Sequence, residues 1–239
     1  MVVRILGING SPRKYGNTFK MLYVALSAVR DLGGEVKLIH LYDYNIKPCI
    51  GCVSDNILAC RYPCVIEDDM KKIYDMILEC DGFIVATPVY WYSPSTLVKS
   101  MLDRLTAFEN MIYIDGRSWL EGKVCGIIAV GNDSGTIQTI SLMYSVLNSM
   151  GALIPPWALA YYHDKGDVLD DFNRIMDAYN VGRTIYLACN GEKVDKWYLY
   201  EEVKELVEKA VARARIEAER NYKSQFKERK KEIGKLLEK

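Results

Sequence analysis

Two stretches of this sequence hold residue types that could do chemistry. Residues 9–18 read Asn-Gly-Ser-Pro-Arg-Lys-Tyr-Gly-Asn-Thr, directly after the apolar run of residues 2–8. A buried strand ends there, a Gly/Ser/Pro loop turns, and a helix begins near Asn17. Such a junction aims backbone N–H groups and the positive end of a helix dipole at one point, which suits a phosphate. Ser11, Asn17 and Thr18 add short side-chain donors, and Arg13 adds charge. The loop is not a Walker A motif, because Asn17 stands where the lysine belongs, and Gly7 and Gly10 break the dinucleotide spacing. A terminal monophosphate therefore fits better than a triphosphate. The plainer alternative is a polar turn between a strand and a helix. The second stretch carries Cys49, Cys52, Cys60 and Cys64, a Cys-x2-Cys-x7-Cys-x3-Cys run that could ligate a four-iron cluster or zinc, or serve as disulfides or free thiols.

Two further loops could meet a planar ring. Residues 87–95 read Thr-Pro-Val-Tyr-Trp-Tyr-Ser-Pro-Ser. Three consecutive aromatics bracketed by prolines offer a stiff stacking surface, and backbone N–H groups of Val89, Tyr90 and Trp91 could meet the polar edge of a ring. Packing under the following helix is the bland alternative. Residues 131–135, Gly-Asn-Asp-Ser-Gly, are small enough to allow close backbone approach. A phosphate loop, an aromatic loop and a glycine loop together suit a flavin mononucleotide.

The elements that must carry these loops alternate. Strand patterns cover residues 2–8, 36–41, 82–87, 123–130 and 153–160, the last at an edge because of Pro155-Pro156. Helix patterns cover residues 18–32, 68–80, 94–108, 136–150 and 170–188. This βαβα order means a parallel sheet with helices on both faces, whose ligands bind at the C-terminal ends of the strands where the strand order reverses. All three loops lie at such ends. Residues 1–190 read as one α/β domain and 191–239 as a charged helical extension, in which an apolar stripe from Trp197 to Ala214 packs and the remainder frays.

The ordered segments Gly10-Ser11-Pro12-Arg13 with Gly16-Asn17-Thr18, Pro48-Cys49-Ile50-Gly51-Cys52, Cys64 with Asp68-Asp69-Met70, Ala86-Thr87-Pro88-Val89-Tyr90, and Lys99 with Asp103-Arg104 resemble the flavodoxin-like NAD(P)H-dependent FMN reductase family, particularly its iron–sulfur flavoprotein branch. The likeness spans residues 2–160. It implies a flavodoxin-like, doubly wound, five-stranded parallel sheet of order 2-1-3-4-5. It also implies that Ser11, Arg13, Asn17 and Thr18 hold the FMN phosphate. Pro88, Val89, Tyr90 and Trp91 would line the isoalloxazine, and Gly131, Asn132 and Gly135 would border it. Asp103-Arg104 would be a structural pair. Branch members carry a third cysteine three residues after the second; here that position is Asp55, and Cys60 would replace it only if the loop folds back.

The resemblance implies an oxidoreductase passing a hydride from NAD(P)H through FMN to a flavin, quinone, metal or protein acceptor, in a homodimer or homotetramer, with no side-chain acid or base required. Its alternatives are an iron–sulfur electron carrier without NAD(P)H activity and a non-redox binding module. A hydrolase is remote, since the chain has only two histidines. Equal numbers of acidic and basic residues, 31 each, imply no general nucleic-acid or membrane field. The N-terminus shows no signal-peptide pattern, and a cytoplasmic location is expected.

Overall fold

Five of the apolar runs form parallel strands, and the order in which they pair places the three candidate loops along one edge. The computed structural model describes residues 2–237. Strand β1 (Arg4–Asn9) leads into helix α1 (Asn17–Asp31), and β2 (Glu35–His40) returns beside β1. The cysteine segment contains only two short 3-10 turns before α2 (Met70–Glu79). Strand β3 (Gly82–Tyr90) ends in a hairpin with the two-residue β4 (Ser93–Pro94), followed by α3 (Thr96–Arg104), α4 (Thr106–Glu109) and α5 (Ile112–Asp115). The remainder comprises β5 (Val124–Val130), α6 (Thr136–Ser149), β6 (Leu159–Tyr162), α7 (Phe172–Cys189) and α8 (Lys204–Leu237).

The parallel strands lie in the order β2-β1-β3-β5-β6. Counting long strands alone, this is the expected 2-1-3-4-5, with the winding reversal between β1 and β3. β1, β3 and β5 are buried on both faces because helices cover each side, so their sequences read as unbroken apolar runs. One core layer joins α1, α7 and the first half of α8; the other joins α2, α3 and α6.

Three expectations shift. Pro94 opens no helix: it pairs with Val89 in the hairpin, and the helix starts at Thr96 and breaks at Leu105. Residues 153–160 are not one strand. Leu153 makes a single bridge to Val124, and the ladder resumes only at Leu159, because Pro155 and Pro156 carry no N–H to donate. The tail does not stop packing at Ala214. α8 runs on as one helix, with Lys209–Glu205 and Lys223–Glu219 pairs one turn apart.

Candidate active site

Strand β1 ends on Asn9, a polar residue with no exposed surface after a row of apolar ones. Burial demands partners for its amide. Its Nδ2 donates to His40 Nδ1 at 2.8 Å, and its Oδ1 accepts from the Ser11 N–H at 3.2 Å. Burial, reinforced by the Lys14 charge, drives His40 down to about 4, so the ring is neutral at physiological pH and can accept that bond. Ser11 Oγ in turn accepts the Arg13 N–H at 3.1 Å. The relay from β2 through Asn9 and Ser11 thus sets the course of the loop before the chain enters α1.

Gly10 sits where the loop crosses β3. Its N–H donates to Ala86 O at 2.7 Å, and its carbonyl accepts from Ser95 Oγ at 2.7 Å. A Cβ at this position would collide with the Val98 side chain. Ser95 also donates its N–H to Thr87 Oγ1 at 3.0 Å, and Thr87 Oγ1 donates to Pro88 O at 2.9 Å. The phosphate-type loop and the aromatic hairpin are therefore one hydrogen-bonded unit.

At the start of α1 no side chain caps the helix, Gly16 holds the N-cap position, and the first turn has no acidic residue. The first N–H groups of the helix are free of intrahelical partners by geometry. They border a hollow of about 540 Å³ lined by Arg13, Tyr15, Gly16, Asn17, Asn132 and residues 164–167. Asn132 also lines an adjoining hollow of about 200 Å³ with Val89, Trp91, Tyr92 and Gly131.

The second hollow owes its shape to an unusual turn. Trp91 and Tyr92, with φ of 50° and 62°, are the two central residues of the hairpin joining β3 and β4. Left-handed backbone at both positions is the type I′ arrangement that normally selects Asn-Gly, and a bulky residue there carries strain of about 1–3 kcal/mol. The turn holds Trp91 almost wholly in solvent, at 93% exposure. Gly135, with φ of 85°, lies so close that a Cβ would press on Val89 and Tyr92.

Of the residues expected to form the site, Arg13, Asn17, Val89, Trp91, Gly131 and Asn132 line the two hollows. Ser11 and Thr18 lie buried beneath the loop. Pro88 pairs with Val130 inside the sheet, and Tyr90 pairs with Ser93 in the hairpin. Asn17 has a second engagement: its Nδ2 donates to Gly166 O at 2.7 Å and its Oδ1 accepts the Val168 N–H at 3.2 Å. That amide fixes the 164–168 loop as the far wall of the larger hollow. Asn9, His40 and Ser95 escaped the sequence reading; the one available signal was a polar Asn ending an apolar strand.

The cysteine segment is built differently. Its two ends are pinned by Arg104, which donates to Asp68 Oδ2 at 2.7 Å, to Asp68 Oδ1 at 3.2 Å, and to the carbonyls of Lys47 and Ile66. Both side chains of this ion pair are buried. Burial alone would raise the Asp68 carboxyl, but Arg104 and the N–H groups of Lys47 and Met70 hold it below the usual carboxylate range. Asp103 instead pairs with Lys99 at 2.5 Å, so Asp103 and Arg104 are structural but not partners of one another. Cys49 is exposed, Cys52 and Cys64 are half-buried, Cys60 is buried, and no disulfide joins any of the four. Burial first, then the Cys52 and Cys49 sulfurs nearby, pushes the Cys60 thiol up to about 12. Among the described residues no three His, Cys, Asp or Glu side chains converge to hold a metal ion. Cys52, Cys49 and Cys64 all lie close enough to Cys60 to act on its thiol, so the four sulfurs share one neighbourhood.

A larger hollow of about 680 Å³ lies at the opposite end of the sheet, by Asp81, Arg117 and Lys123. The Lys123 ammonium there is spent on the Leu78 and Cys80 carbonyls.

The family model for NADPH-dependent FMN reductase matches residues 3–164, which contain all three loops. The chain belongs to the NADPH-dependent FMN reductase family. It is an oxidoreductase of the FMN- and NAD(P)H-using kind. An iron–sulfur flavoprotein of Archaeoglobus fulgidus is 32% identical over 170 residues, 71% of this chain and 73% of that protein. An iron–sulfur flavoprotein of Methanocaldococcus jannaschii is 31% identical over 193 residues, 77% of this chain and 95% of that one. Among solved structures, RosB with a bound 8-demethyl-8-formylriboflavin-5′-phosphate superposes with a TM-score of 0.66 at 18% identity, covering 80% of each chain. No helix among the described residues is long and apolar enough to cross a membrane.

Proposed function

We propose that the chain holds FMN across the loops at residues 9–18, 87–95 and 131–136, and that NAD(P)H delivers a hydride there for onward transfer to a small-molecule or protein acceptor. One observation carries this reading. An uncapped helix start, the Arg13 side chain and an aromatic hairpin border two hollows that share Asn132. The lining suits FMN in having Arg13 and free helix N–H groups at one end, where Asp164 and Asp167 form the far wall, and the Val89, Trp91 and Tyr92 side chains at the other.

When bound, FMN supplies hydride acceptance and electron release, and the protein supplies placement and electrostatics. Arg13 and the first N–H groups of α1 neutralise a dianionic phosphate at the positive helix end. Val89 and Trp91 give the ring an apolar wall, while Gly131 and Asn132 let backbone approach its edge. The fixed Asn9–Ser11 relay keeps those donors in place without reorganisation on binding.

The exposed Trp91 hairpin leaves the site open to solvent, where a nicotinamide or an acceptor can enter, and a second copy of the chain could cover it in a homodimer or homotetramer. The test is anaerobic turnover. FMN-loaded protein should oxidise NADPH or NADH and pass electrons to a quinone, a flavin or ferric ion, and flavin-free protein should not. Loaded protein that stays oxidised under excess NADPH and NADH would refute the reductase reading.

A further inference from the structure

The family match ends at residue 164, yet α8 reaches back over the loop that the family uses. Val207, Ala210, Ala214 and Ala218 recur at three- and four-residue spacing and are buried. They seat the first half of the helix on α1 and α7. This docking carries the second half across residues 12–15.

There the contacts turn polar and specific. Gln225 Nε2 donates to Pro12 O at 2.9 Å, and Gln225 Oε1 accepts the Lys14 N–H at 3.0 Å. One carboxamide thus satisfies the two peptide groups flanking Arg13. Asn221, one turn earlier on the same face, donates from Nδ2 to Lys14 O at 2.9 Å. Tyr222 packs edge-on against Tyr15 with ring centroids 5.0 Å apart. The same helix also holds the opposite wall of the hollow. Arg215 donates to Leu169 O at 3.2 Å and pairs with Asp170 at 2.5 Å and Asp167 at 3.7 Å. Asp167 is tied in turn to Lys20 of α1 at 2.7 Å.

We infer that α8 is part of the cofactor site, and that Gln225 and Asn221 are positioning residues that hold Arg13 and its loop ready for the FMN phosphate. The inference rests on the FMN reading above and adds to it a segment outside the family model. Apart from α8, the residues around Arg13 are held by the Arg13 N–H bond to Ser11 Oγ, itself placed by Asn9, a Gly16 N–H bond to Arg13 O at 3.3 Å and a part-exposed Lys14–Asp43 ion pair. Without α8 the peptide groups around Arg13 turn to water, and the loop must be ordered at the moment of binding. That ordering weakens affinity without touching the ring.

The experiment compares FMN with riboflavin on the flavin-free full chain by fluorescence titration, for the parent, Gln225→Ala, Asn221→Ala and Arg13→Ala. Gln225→Ala should bind FMN roughly tenfold more weakly, Asn221→Ala about threefold, and both should bind riboflavin as the parent does. The absorption envelope of the bound ring should not move. Gln225→Asn, which keeps an amide but is one methylene shorter, should recover part of the loss. FMN affinity unchanged in both α8 variants while Arg13→Ala weakens it would overturn the positioning role alone. Equal losses for FMN and riboflavin would also overturn it, since they report general loosening. Failure of the parent to bind FMN, or an Arg13→Ala variant indistinguishable from it, would remove the underlying site and this inference together. Should Gln225→Ala fail to fold, Asn221→Ala decides on the same ratio.

Discussion

The phosphate-type loop and the cysteine segment both leave a strand end on the same side of the sheet, and both are rich in groups that could bind something. They are held in different ways. Residues 9–18 are gripped from outside by four separate elements: His40 of β2, Ala86 of β3, Ser95 before α3, and Gln225 of α8. Their inner surface, with Arg13 and the start of α1, is left free. Residues 45–68 are fastened at their ends and in the middle by the α3–α4 region. The buried Arg104–Asp68 pair clasps their ends, and Asn110 donates to the carbonyls of Ile57 and Cys60 at 2.6 and 2.7 Å. Their potential ligands, the four thiols, sit at differing depths around the buried Cys60. External support leaves a concave surface available for a ligand. The α3–α4 contacts fix the path of the other segment around its cysteines.

The contrast is most severely tested at Arg104. Removing it strands Asp68 in a buried position, so Arg104→Ala should cost about 3–5 kcal/mol in urea unfolding, and Arg104→Lys should recover only part because a bidentate fork is lost. A variant as stable as the parent would show that the clasp is ornamental. Arg13→Ala should leave unfolding unaltered and weaken FMN by roughly 10- to 100-fold, the worth of one charge-assisted contact of about 1.5–3 kcal/mol. These two substitutions separate scaffold from site: one acts on stability, the other on binding.

A third prediction sharpens the external grip through pH. The folded protein holds His40 near 4, against about 6.5 in the unfolded chain. The unfolded state therefore takes up the proton first as pH falls. Stability from this group is complete above pH 6.5 and declines between 6.5 and about 4. A melting-temperature profile should slope downward across that window, and His40→Gln should flatten it. An identical slope in the variant would assign the effect elsewhere.

Much of this architecture was legible in the sequence because one signal dominated each element. The βαβ alternation and the unbroken apolar runs of β1, β3 and β5 left little choice but a doubly wound sheet. What stayed hidden depended on distance along the chain. Gln225 lies more than two hundred residues from Pro12, and nothing in a Lys/Glu-rich helix marks one glutamine as a clamp. Asp68 and Arg104 were visible individually, but their pairing across α2 and α3 was not. The cysteine spacing was legible, but the Asn110 bonds and the two 3-10 turns that set the depth of each of the four thiols were not.

The smallest effect concerns the strained hairpin. Replacing Trp91-Tyr92 with Asn-Gly supplies the residues a type I′ turn prefers and should raise stability by about 1 kcal/mol, while lowering affinity for the flavin ring. Thermal unfolding and riboflavin titration together read this trade. A less stable variant would mean that the aromatics gain more from packing than the backbone loses to strain.

The most direct test is a crystal structure of the chain soaked with FMN. The phosphate should lie within hydrogen-bonding reach of Arg13 and the first N–H groups of α1, with the ring against the hairpin at Trp91. Flavin bound in the hollow by Arg117 and Lys123, or no flavin at all at saturating concentration, would contradict the account.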